Sequence, residues 1–159
     1  MSPELVVKIA LNAWEGQIKR ADQLFTSLTD EQLLSEIAPG RNRGIYLLGH
    51  LTATHDAMND ILGLGERKHA GLDQAFLKSP DKTVAEIPSL DELKKIWTAV
   101  NTDLSAKLKQ LPAGDWFKRH TKMTDEDFAK EPERNKLSVL LSRTNHVGYH
   151  MGQLVFLKK

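Results

Sequence analysis

The chain has 159 residues, with 22 lysines and arginines against 21 aspartates and glutamates, a formal net charge of +1 and no cysteine. That length suits one domain, residues 1–159, whose core removes roughly 68–70% of the unfolded surface from water. Balanced charge excludes a basic field for nucleic acid or anionic lipid, and absent cysteine excludes disulfides, thiolate ligands and a cysteine nucleophile.

Ser2-Pro3-Glu4 predicts a helix start, with serine as N-cap, proline at the first helical position and an acid in the first turn. It lacks the basic region and apolar run of a secretory signal, and no apolar stretch approaches the roughly 20 residues that span a bilayer, so a cytoplasmic protein without membrane partners is expected. Leu5, Ile9, Ala13, Ile18, Ala21, Leu24, Phe25 and Leu28 keep helical spacing to about Ser27. Thr29-Asp30-Glu31-Gln32 is a capping box for a short turn through Leu34, and Pro39-Gly40 breaks the chain.

A second helix is predicted over 43–62, ending at Gly63 and Gly65. Its His50 shares a face with Tyr46, Ala53, Thr54 and Ala57, mostly small neighbours that leave space beside the imidazole. Residues 66–88 read as a long connection with one turn at 72–78, and connections of that length are often functional. Ser89 to Glu92 forms a capping box for a third helix, which Leu93, Ile96, Trp97, Val100, Leu104, Leu108 and Leu111 carry to Pro112. A second connection, 112–135, contains Trp116, Phe117 and an acidic run at 124–127. Asn135 caps a last helix running almost to Lys159. No strand alternation or repeat interrupts this pattern, which predicts an all-α four-helix bundle with long connections.

The last helix carries two stripes. At about 100° per residue, Leu137, Leu140, Leu141, Thr144, Val147, Met151, Leu154 and Val155 fall on one face. Val139, Arg143, His146, His150, Gln153 and Leu157 fall on a second, displaced by roughly 130°. A helix apolar on two faces sits inside a bundle, and the polar groups within its second stripe need partners. His146 and His150, at i and i+4, have Cβ atoms roughly 5–6 Å apart, a workable bite for one metal ion. Hydrogen bonds alone can also hold interior histidines.

The remaining histidines read differently. His69 and His120 lie beside basic residues in the connections and read as solvated. His55 lies about 140° around its helix from His50 and reads as a core or helix-edge histidine with a satisfied partner. Glu66-x-x-His69 matches half of a di-iron pattern, once and on a loop, and is set aside. There is no His-Glu-x-x-His, Gly-x-Ser-x-Gly or phosphate-cradling glycine loop.

Gly49-His50-Leu51, together with Asn145-His146-Val147-Gly148-Tyr149-His150-Met151-Gly152-Gln153, resembles the DinB/YfiT-like superfamily. The signature His-x-x-x-His-x-Gly-Gln falls on His146, His150, Gly152 and Gln153. Relatives often carry a tryptophan shortly before the second-helix histidine, where this chain has Gly44-Ile45-Tyr46. The resemblance implies a four-helix bundle of metalloenzyme type in which His50, His146 and His150 bind a divalent metal. Zinc is the expected ion, with nickel or iron as substitutes, because an all-histidine set discriminates poorly among them. Gln153 is placed to touch a ligand histidine or the substrate, and no general base can be assigned.

Three protein ligands leave positions open, where a metal can activate water for hydrolysis or hold a thiol as thiolate. Characterised relatives transfer low-molecular-weight thiols such as bacillithiol or mycothiol, or use one as an isomerase cofactor, and are often dimers. The expectation is therefore a metal-dependent hydrolase or low-molecular-weight-thiol S-transferase acting on a small molecule, with a homodimer as its assembly. The alternative is a non-catalytic bundle, its metal site structural or vestigial, acting through dimerisation.

Overall fold

The computed structural model describes residues 2–158. The chain is all-α: α1 (Pro3–Ser27), α2 (Asp30–Leu34), α3 (Gly44–Ile61), α4 (Asp73–Phe76), α5 (Leu90–Gln110), α6 (Asp125–Lys130) and α7 (Lys136–Leu154). Among the described residues there is no strand, and no helix is long and apolar enough to cross a membrane. Three of the four long helices begin on their own side-chain caps. Ser2 accepts the Leu5 N–H, Ser89 and Glu92 complete a reciprocal box, and Asn135 accepts the Ser138 N–H. The start of α3 is held from a distance instead. Asp81, in the connection after α4, accepts the Arg43 N–H at 2.8 Å and pairs with the Arg43 guanidinium at 2.7 Å.

Helix α1 packs on α7 and α3 on α5, while α3–α7 and α1–α5 contacts close the ring around the core. Trp14, Leu48, Leu51, Leu104 and Leu140 are fully enclosed there. Trp97 is buried as well, with its Nε1–H donated to Asp22 at 2.6 Å.

The inward face of α1 is not the one its first leucine suggests. Val7, Ala10 and Trp14 are buried, whereas Leu5 and Ile9 are 47% and 53% exposed. Nine residues separate Leu5 from Trp14, which at about 100° each places them on opposite sides of the helix. Trp14, the larger group, takes the core. On α7 the apolar stripe is likewise narrower than expected, for Leu141 and Val155 are exposed. The second stripe behaves as expected: Val139, Arg143, His146 and Gln153 are half-buried, and His150 and Leu157 are buried. The α-helix stops at Leu154, and Val155–Leu157 tighten into a 3-10 turn that leaves Val155 and Phe156 outside while burying Leu157.

Both connections are ordered structures. The first contains a 3-10 turn, Ala70–Leu72, leading into α4, and is pinned at two points. Buried Asp56 of α3 accepts the Arg67 Nε–H at 3.1 Å and the N–H groups of Lys68 and His69 at 3.1 and 3.2 Å. Arg67 also forks onto Asp73, at 2.8 and 2.5 Å. A buried carboxylate is tolerable when its lone pairs are satisfied in this way. Arg43–Asp81 is the other pin. The second connection buries Trp116 in a 3-10 turn, Ala113–Phe117, and then forms α6 on the Thr124 cap.

Candidate metal centre

His50 on α3 and His146 and His150 on α7 meet where those two helices touch. Their nitrogens lie within 4.8 Å of one another, and among the described residues no carboxylate joins the group. His146 Nε2 is 3.1 Å from His50 Nε2 and 2.9 Å from His150 Nε2. The three rings stand nearly perpendicular to one another, at interplanar angles of 71–79°, so edges rather than faces converge. Two zinc–nitrogen bonds of 2.0–2.1 Å at a tetrahedral angle place their nitrogens about 3.3 Å apart, close to this spacing.

Proton placement sharpens the picture. His50 Nδ1 lies 2.8 Å from the Phe76 carbonyl, which can only accept, so the proton is on Nδ1 and a lone pair is on Nε2. His150 Nδ1 lies 2.7 Å from Gln153 Oε1, with the same consequence. The Gln153 amide is oriented in turn by its Nε2–H, donated to the Tyr149 hydroxyl at 3.3 Å. Two lone pairs thus point at His146 Nε2, while His146 Nδ1 is enclosed without a partner among the described residues. With its proton on Nδ1, His146 completes a set of three converging lone pairs. That arrangement is repulsive alone and fits a shared cation, so the residues present suit a divalent metal.

The electrostatics agree. Burial holds His50 and His150 below the usual histidine range. Burial also lowers His146, to about 4, with the neighbouring His150 and His50 adding to it. Neutral imidazoles are the form that binds metal.

The surroundings come largely from the first connection. Phe76 ends α4 and supplies the carbonyl that orients His50, and Tyr46 stacks parallel to the His50 ring while donating its hydroxyl to the Ser79 carbonyl at 2.8 Å. Gly49 makes this approach possible, because a Cβ there would sit 2.4 to 2.6 Å from the Phe76 ring. The space expected beside His50 is therefore partly filled by Phe76. Neither Gly49 nor Phe76 stands out in the sequence as a supporting residue, although a helical glycine beside a histidine is a signal of close approach.

The other histidines stand apart from the cluster. His55 is fully buried between Trp14 and Trp97, with Nδ1 2.8 Å from Asn101 Oδ1. It has the expected partner on one nitrogen, but its Nε2 has none among the described residues. His69 and His120 are half-buried rather than solvated, and His120 Nδ1 is enclosed without a partner among the described residues. Asn145 is exposed.

The sequence model described as the DinB superfamily matches residues 13–154, a span holding all three clustered histidines and Gln153. No curated protein matches the chain. The span covers α3, α5, α7 and α1 from Ala13 onward, and on that match the chain belongs to the DinB superfamily.

Proposed function

We propose that the protein is a divalent-metal-dependent enzyme acting on a small molecule, either as a hydrolase or as a low-molecular-weight-thiol S-transferase. The observation that carries this reading is the convergence of three Nε2 atoms, two of them fixed as lone pairs by Phe76 and Gln153. When bound, a divalent ion on three imidazoles supplies Lewis-acid chemistry and keeps coordination positions free for water or a thiol sulfur. Zinc is the ion we propose, with nickel or iron able to replace it.

The chain's own groups would orient and shield. The Phe76 carbonyl and Gln153 Oε1 hold two ring protons at Nδ1 and keep each Nε2 aimed inward. Tyr46 and Phe76 flank His50 and limit the access of water from that side. Tyr149 lies against His150, with ring centroids 5.0 Å apart, and its side chain is largely exposed, which supports a role in meeting a substrate from that side.

Thiol binding tests the transferase arm. Protein loaded with cobalt or nickel and titrated with a small thiol is expected to develop sulfur-to-metal charge-transfer absorption in the near ultraviolet, absent in His150→Ala. Turnover of ester, amide and thiol-conjugate substrates by the zinc form tests catalysis. Metal-loaded protein that neither binds thiols nor turns over any of these classes overturns the enzymatic reading.

A further inference from the structure

Arg143 lies on α7 one turn before His146, on the same stripe. It is half-buried, its Nε is enclosed, and it has no partner among the described residues. The other half-buried arginines each have a carboxylate: Arg43 has Asp81, Arg67 has Asp56 and Asp73, and Arg119 has Asp125. Withdrawing a guanidinium from water without a counter-charge is unfavourable, and Arg143 alone is left in that state.

Arg143 lines a cavity of about 250 Å³ between the end of α3, the second connection and the first half of α7. Ile61 and Val139 form its apolar wall, and His120, Lys122 and Ser142 line it with Arg143. Lys122 is already paired with Asp60 at 2.5 Å, so those two charges offset each other. Arg143 therefore sets the sign of the cavity. His120 is half-buried, and burial, helped by Arg134 and Arg119, keeps its ring neutral. Its Nδ1 is enclosed with no partner among the described residues, while the residue lines the cavity.

We propose that this cavity is an oxyanion site, in which Arg143 forks onto a carboxylate or phosphate group of a small molecule and His120 and Ser142 hydrogen-bond it. The volume equals several waters at roughly 30 Å³ each, enough for one such group with part of its carrier. Ser142 precedes His146 by four residues, about 6 Å of helix rise, so an acidic molecule held here lies alongside the histidine cluster. The site stands on Arg143 and His120 and holds whether or not the histidines carry a metal.

The test is thermal unfolding of the full chain, as purified and after chelation, titrated with inorganic phosphate or acetate against sodium chloride of equal ionic strength. The expected result is a saturable rise in Tm in both metal states. Arg143→Gln should weaken the apparent affinity at least tenfold, and Arg143→Lys should fall between, keeping the charge but losing the fork. His120→Ala should weaken it as well, and carries the test if the Arg143 variants fail to fold. A stronger response to phosphate or to acetate assigns the group. No rise beyond that in chloride, or an equal rise in the folded variants, overturns the proposal. Elemental analysis of the same samples separates the two readings. Anion binding without metal removes the metal reading alone, and metal without anion binding removes this one alone.

Discussion

His146 depends on its two neighbours more than they depend on it. With His50 and His150 presenting lone pairs, the ring between them must offer a proton or share a cation. Replacing His150 with alanine leaves two ligands and should abolish stoichiometric metal binding, whereas His55→Ala, remote from the cluster, should keep the metal while destabilising the core. Gln153→Ala is a subtler change, for it frees the His150 ring without removing a ligand. Metal affinity measured by competition with a chelator should fall about 10- to 100-fold, and an unchanged affinity would leave Gln153 no part in orienting His150. His146 and His150 were legible in the sequence because the i, i+4 spacing and the second stripe of α7 are local properties of one helix, whereas His50, on α3, came in through the family resemblance. The Phe76 carbonyl was not, since any residue type offers a carbonyl and only the path of the connection brings this one to His50.

The connection after α3 is the element that turns a pair of helices into a site. Gly49→Ala drives a methyl into the Phe76 ring and should cost about 1–3 kcal/mol in urea unfolding. It should also weaken metal binding, because α4 must retreat and take the carbonyl with it. Gly16→Ala is the control: a Cβ there meets nothing within 4 Å, so mid-helix propensity should raise stability by roughly 0.5–1 kcal/mol. A Gly49→Ala protein as stable and as tight for metal as wild type would contradict this role for the connection. Capping boxes at Thr29 and Ser89 announce their helices in sequence, and both form as read. The start of α3 is read to within a residue, but the contact that holds it and the shape of residues 66–88 are not, because Asp81 and Arg67 act across 38 and 11 residues. The same non-locality misplaces Leu5 and Ile9, for periodicity marks a helical face without saying which face meets a neighbour.

For the molecule as a whole, the buried histidines set the pH dependence. Burial lowers His55 to about 3, against about 6.5 in the unfolded chain. Between those values the unfolded state binds the proton and the folded state does not, so stability rises with pH. It is complete above the unfolded value and lost progressively as pH falls from about 6.5 toward 3. The lowered His50, His146 and His150 act in the same direction. Urea midpoints after chelation should therefore drop between pH 7 and pH 5, with a shallower slope in His55→Met; a midpoint flat over that range would contradict neutral burial. Bound metal should add its own stability and steepen the loss in acid, since protons compete for the same nitrogens. The proposed chemistry turns on the three nitrogens sharing one ion. Elemental analysis of the purified chain is the direct measurement: about one divalent metal per chain in wild type and none in His150→Ala is the predicted result, and metal-free wild type after incubation with zinc, or equal content in both, would contradict it.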